Sequence, residues 1–185
     1  IREKTNINKG HFVGHSLGGM IAPAYAKKYP DKVLSIGMLS TVAGRSEEDS
    51  KKVWSVISEM EEKGIEKTLQ KLTSRWFTDG FIANNYELVK KRLNQVLDTD
   101  PEVFLNVFKI YAKIEMFPWL NELTQPCLLM TGENDGGCTP EHNEKMANEI
   151  KNSELIILPK LKHSFLIEGP DAITNNLIRF INKNI

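Results

Sequence analysis

The residues Gly14-His15-Ser16-Leu17-Gly18 stand between the apolar pair Phe12-Val13 and a helical run. Gly-x-Ser-x-Gly in that setting predicts a strand, a sharp turn and a helix, with the serine hydroxyl lifted above the sheet edge. Glycines at 14 and 18 are expected to remove side chains that would collide in so tight a turn. The turn also leaves the Leu17 N–H at a helix N-terminus, where it can donate to a developing oxyanion.

A serine hydroxyl is a weak nucleophile at neutral pH and needs a histidine base, itself oriented by a carboxylate. The chain has four histidines. His11 falls at a strand start, the wrong end of a sheet for a site. His15 adjoins the serine, and neighbouring side chains point apart. His142 falls in the first turn of a helix, where solvation is expected. His163 follows the carboxyl end of the apolar run Leu155–Leu158, and sites in open α/β sheets form at those ends. The acid should come from the same layer. Asp135 lies beyond the run Cys127–Met130, with Glu133 as its local competitor. Ser16, Asp135 and His163 are the candidate catalytic residues.

The elements that must position them alternate. Phe12–His15, Val33–Leu39, Cys127–Thr131 and Leu155–Leu158 read as strands. Leu17–Tyr29, Pro140–Ile150 and Pro170–Asn182 read as helices, Pro23 lying inside the first. Residues Arg2–Lys9 read as a helix end and a linker. Apolar character on both faces of Val33–Leu39 suits a parallel sheet covered on both sides. Between about 45 and 121 the strands disappear. Ser46 and Asp49 suggest a capping box for a helix carrying Val53, Trp54, Ile57 and Met60 at helical spacing. Ile65–Phe77 and Tyr86–Leu97 read as further helices. Asp100-Pro101 supplies an N-cap and an N1 proline for a helix through Ile114. The expected organisation is an α/β core from 1–44 and 122–185, interrupted by a helical cap at 45–121. That cap holds ten of the 15 aromatic residues. Trp54, Trp76, Phe104, Phe108 and Trp119 are candidates to line an apolar pocket over Ser16. The competing reading makes such aromatics the packed faces of amphipathic helices.

With 24 basic and 24 acidic residues the chain is formally neutral, so nothing in its charge points to nucleic acid or an anionic membrane. Its 185 residues suit one core. The apolar runs are far shorter than a membrane span. Cys127 and Cys138 are too few for a disulfide framework, so a reducing, cytoplasmic setting is expected.

The chain resembles the C-terminal two thirds of an α/β-hydrolase of the esterase and 3-oxoadipate enol-lactonase type. The resemblance rests on Val13–Met20, Tyr29–Val33, Pro126–Asp135 and His163–Pro170, and on the chain order serine, acid, histidine. It implies an α/β-hydrolase fold, a mostly parallel sheet flanked by helices with a helical cap, lacking the N-terminal strands. It also implies a serine hydrolase acting on a small ester or lactone, with no metal or organic cofactor. Other chemistry on the same triad would be C–C bond hydrolysis or perhydrolysis; a non-catalytic ligand-binding member is the remaining alternative. Serine at 16 argues against the branches that use aspartate there. Two departures carry expectations. The loop that supplies a second oxyanion donor is absent, and an open sheet edge should leave residues 1–185 inactive when isolated. Gly136-Gly137-Cys138 replaces bulkier residues after the acid, which predicts a looser loop.

Overall fold

The structure is a computed structural model and describes residues 7–185. Part of the expected helix end and linker at Arg2–Lys9 lies outside the described residues. Four strands form one parallel sheet in the order β1 (Gly10–His15), β2 (Val33–Leu39), β3 (Cys127–Gly132), β4 (Ser153–Leu158). Alternating side chains of the central strands feed two cores, as the two-residue period of a strand requires. Ile36, Met38, Cys127 and Leu129 face one side, and pack with Met20 and Ala26 of α1 (Leu17–Lys28) and Met146 of α7 (Pro140–Glu149). Leu39, Leu128 and Met130 face the other, against Phe165 of α8 (Phe165–Glu168) and Ile173 and Phe180 of α9 (Pro170–Lys183). Both faces of β2 and β3 are therefore buried, which is why their sequences read as nearly continuous apolar runs. Helix α1 continues through Pro23 to Lys28.

Between β2 and β3 lie α2 (Glu47–Lys63), α3 (Ile65–Trp76), α4 (Asp79–Asn84), α5 (Tyr86–Leu97) and α6 (Pro101–Lys113). The capping box at α2 is formed: Asp49 N donates to Ser46 Oγ at 3.0 Å and Ser46 N to Asp49 Oδ2 at 3.3 Å. Asp100 caps α6 by accepting from the Glu102 and Val103 N–H groups. Helix α4 has no counterpart in the sequence reading, because its six residues are too short to show a period. The helices have their own apolar cluster of Met60, Leu69, Leu72 and Val96. Among the described residues, no helix is long and apolar enough to cross a membrane.

Candidate active site

Ser16 joins β1 to α1 with φ 56° and ψ −117°. A non-glycine residue held there stores about 1–3 kcal/mol of backbone strain, and persists only where the surroundings over-determine it. Its N–H donates to Leu39 O at 2.8 Å, and its carbonyl accepts from Gly19 N at 2.9 Å. Gly14 is required as expected, since a Cβ there would lie 1.9 Å from the Gly18 carbonyl oxygen. Gly18 is not: a Cβ at that position meets nothing within 4 Å. The second glycine the turn needs is Gly19, whose Cβ would fall 2.7 Å from Thr41 Cβ on the segment after β2. Leu17 opens α1, so its N–H has no intrahelical acceptor.

Asp135 and His163 meet beyond the carboxyl ends of β3 and β4. His163 Nδ1 lies 2.8 Å from Asp135 Oδ2. With the proton on Nδ1 donated to the carboxylate, Nε2 is left as the acceptor nitrogen. Asp135 Oδ1 accepts from Gly137 N and Cys138 N, each at 2.9 Å. Burial pushes the Asp135 carboxyl upward, but the His163 hydrogen bond and charge and the two backbone donors outweigh it and bring the group down to about 2. The same two donors correct the expectation of a loose Gly136-Gly137-Cys138 loop. Thr131 Oγ1 fastens the loop further by donating to Cys138 O at 2.6 Å. Glu133 is exposed and accepts from Lys160 N at 2.8 Å, so it secures the neighbouring turn rather than the imidazole. The acid and histidine segments pass so closely that a Cβ on Gly132 would sit 2.4 Å from Leu161 O. Asp135, Cys138 and His163 are the grouping among the described residues whose donor atoms could gather on a metal ion, lying within 4.8 Å of one another. Both Asp135 oxygens are already engaged by His163 and the loop N–H groups.

The family model for the alpha/beta hydrolase fold matches residues 1–170. The chain belongs to the α/β-hydrolase fold family. It is 27% identical to 3-oxoadipate enol-lactonase 1 of Acinetobacter baylyi over 99% of this chain and 68% of that protein. It is 25% identical to 3-oxoadipate enol-lactonase 2 of the same organism, over 96% of this chain and 65% of that one. The crystal structure of the enol-lactonase from Burkholderia xenovorans superposes with a TM-score of 0.89 at 20% identity, over 98% of this chain and 68% of that one. This α/β-hydrolase chain thus spans about two thirds of the length of the relatives it matches.

The remaining histidines of this α/β-hydrolase make structural contacts, and His15 makes its contact with that pair. His11 Nδ1 is 2.7 Å from Ser35 Oγ. His142, expected in solvent, is buried instead. Its Nδ1 pairs with Thr139 Oγ1 at 3.0 Å and its Nε2 approaches Asp49 Oδ2 at 3.4 Å, because the start of α2 folds over α7. His15 has a role that sequence did not disclose. Its Nε2 donates to the His163 carbonyl at 2.9 Å, and its ring stands edge-on to Phe165. An imidazole directly beside Ser16 was the available signal; it turns toward the His163 loop rather than the serine.

Burial, helped by the nearby His163, lowers His15 from its ordinary 6.5 to about 4. The folded state therefore holds His15 neutral where the unfolded chain protonates it. That contribution to stability is complete above about pH 6.5 and drains away as pH falls toward 4, by on the order of 2–3 kcal/mol. Asp135 follows below its unfolded value near 4, and its contribution is lost as pH falls toward 2. Urea midpoints between pH 4 and 7 will show a slope in the wild type that flattens in His15→Gln. Equal slopes in the two proteins would contradict this assignment.

The five aromatic candidates are not gathered in one place. Trp76, Phe104 and Phe108 pack on the apolar cluster of the inserted helices. Trp119 packs on the α1 side of the sheet beneath the Lys27 ammonium. Trp54 is 37% exposed on α2. Trp76 also presents a carbonyl that accepts from Ser164 N at 2.8 Å, directly after His163.

Proposed function

We propose that the intact protein is a serine hydrolase that cleaves a small carboxylic ester or lactone through an acyl-enzyme. The observation that carries this reading is the His163–Asp135 hydrogen bond in the same carboxyl-end layer as a serine held in a left-handed turn. In this reading Ser16 attacks the carbonyl while His163 Nε2 takes its proton. Asp135 holds the tautomer and stabilises the imidazolium, and the Leu17 N–H receives the oxyanion. His163 then protonates the leaving oxygen, and later activates the water that releases the acid. Residues 45–121 form the cap and bound the substrate, over a core of residues 1–44 and 122–185. The relatives named as enol-lactonases support a small cyclic or open ester as substrate.

The test is inactivation by a neutral alkyl fluorophosphonate, with the adduct located by mass spectrometry. Stoichiometric modification of Ser16, absent from Ser16→Ala, is expected. An intact protein that stays unmodified at Ser16 would overturn the reading.

A further inference from the structure

We propose that Glu168 is a positioning residue for His163, acting through Thr78, so that the inserted helices set the placement of the histidine loop. The proposal rests on the reading of His163 as the base. The stretch from the end of α3 to the start of α4 meets the loop through hydrogen bonds at three points on either side of His163, and Lys162 Nζ also lies 3.7 Å from Asp79 Oδ1. Ser74 O accepts from Lys162 Nζ at 2.7 Å. Trp76 O accepts from Ser164 N at 2.8 Å. The Glu168 carboxylate accepts from Thr78 Oγ1 at 2.6 Å and from Thr78 N at 3.2 Å.

The third link is the strongest by chemistry, because the carboxylate accepts two charge-assisted bonds, from a hydroxyl and a backbone N–H, where the Lys162 ammonium gives Ser74 O one. Its geometry is also fixed at both ends. The Thr78 hydroxyl accepts from Phe81 N at 3.2 Å as the N-cap of α4, so its own proton is directed at Glu168. Phe77, the residue before Thr78, is fully buried and stacked on Phe81, and anchors the chain there. On the core side Glu168 ends the short helix α8, whose first residue, Phe165, is also fully buried. Among the described residues Glu168 has no ion-pair partner, so Thr78 is what its charge serves. His163 is thus clamped between His15, which holds its carbonyl from the core, and the 74–78 stretch, which holds the chain after it. An imidazole displaced by a fraction of an ångström loses rate while the substrate still binds.

The experiment compares Glu168→Ala, Glu168→Gln and Thr78→Val in p-nitrophenyl butyrate hydrolysis and in fluorophosphonate inactivation. Glu168→Ala should lower kcat and the inactivation rate by about tenfold, with KM within about twofold. Glu168→Gln, whose amide oxygen still accepts from Thr78, should recover most of that loss. Adding Thr78→Val to Glu168→Ala should cost no more than Glu168→Ala alone. Equal losses in the alanine and glutamine variants, a change confined to KM, or additive losses would overturn the proposal. The downfield Nδ1–H proton resonance of His163 gives a readout independent of turnover. It should broaden in Glu168→Ala and return in Glu168→Gln; an unchanged signal in both would also overturn it. Failure of the hydrolase reading would show separately, as a wild-type Ser16 that does not react.

Discussion

His163→Ala lowers kcat for ester hydrolysis by about 10⁴–10⁶-fold, with KM close to wild type. The expectation follows from the two roles the proposed function gives one imidazole: to take the serine proton on attack and to return a proton to the leaving oxygen. Removing it leaves Ser16 in place but uncharged and without an acceptor. Asp135→Asn tests the other half of the pair and should cost about 10⁴-fold. Its amide can present an N–H to Nδ1, which stabilises the wrong tautomer and puts the proton on Nε2. The check is kcat for both variants beside a melting curve, since Asp135 also holds the Gly137 and Cys138 N–H groups. A His163→Ala protein within tenfold of wild type would remove the histidine from the mechanism.

The second large effect is on folding. Gly14→Ala places a Cβ 1.9 Å from a backbone oxygen, where no rotamer change can relieve the overlap. The elbow must open, and the cost is on the order of 4 kcal/mol or more, a large part of the stability of an ordinary domain. Gly18→Ala is the control. Its Cβ meets nothing within 4 Å and it sits in α1, so the variant should match or exceed wild-type stability by up to about 1 kcal/mol. Urea midpoints decide it. A Gly14→Ala protein as stable as Gly18→Ala would mean the turn is not as tight as described.

The contrast between those two glycines marks how far the sequence could be read. Gly-x-Ser-x-Gly located the turn, because strand, turn and helix leave a local signature of apolar run, glycines and helical spacing. Which glycine matters depends on what lies across from it, and Thr41 reaches Gly19 only once β2 is paired with β1. The shared layer of Asp135 and His163 was legible for the same local reason, each being polar just after an apolar strand. His15 was rightly set aside as a base, but its hold on His163 could not be read, and His142 was misplaced in solvent, because their partners, His163 and Asp49, are remote in sequence. Trp76, Phe104 and Phe108 show the matching limit for the inserted helices. Helical spacing gives the face that is apolar but not whether that face meets another helix or a substrate. Helix α4 and the Thr78–Glu168 link left no periodic trace at all.

The sheet has a further consequence. β2 and β3 are bonded neighbours, Ile36 opposite Cys127, although every residue from Ser40 to Pro126 intervenes. Closing so long a connection is thermodynamically cheap, since each doubling of its length adds only about 0.6 kcal/mol. The fold is therefore open to recombination at this one seam. A different helical insert could be exchanged there, and on the proposed reading the substrate range with it, provided that it packs on the sheet as Met116 and Leu120 do. What a replacement must bring is set by what the present insert supplies: a backbone carbonyl where Trp76 stands, a capping hydroxyl where Thr78 stands, and apolar side chains where Met116 and Leu120 complete the core on the α1 side of the sheet. Lineages that swap this segment whole should keep those groups while the rest of it varies.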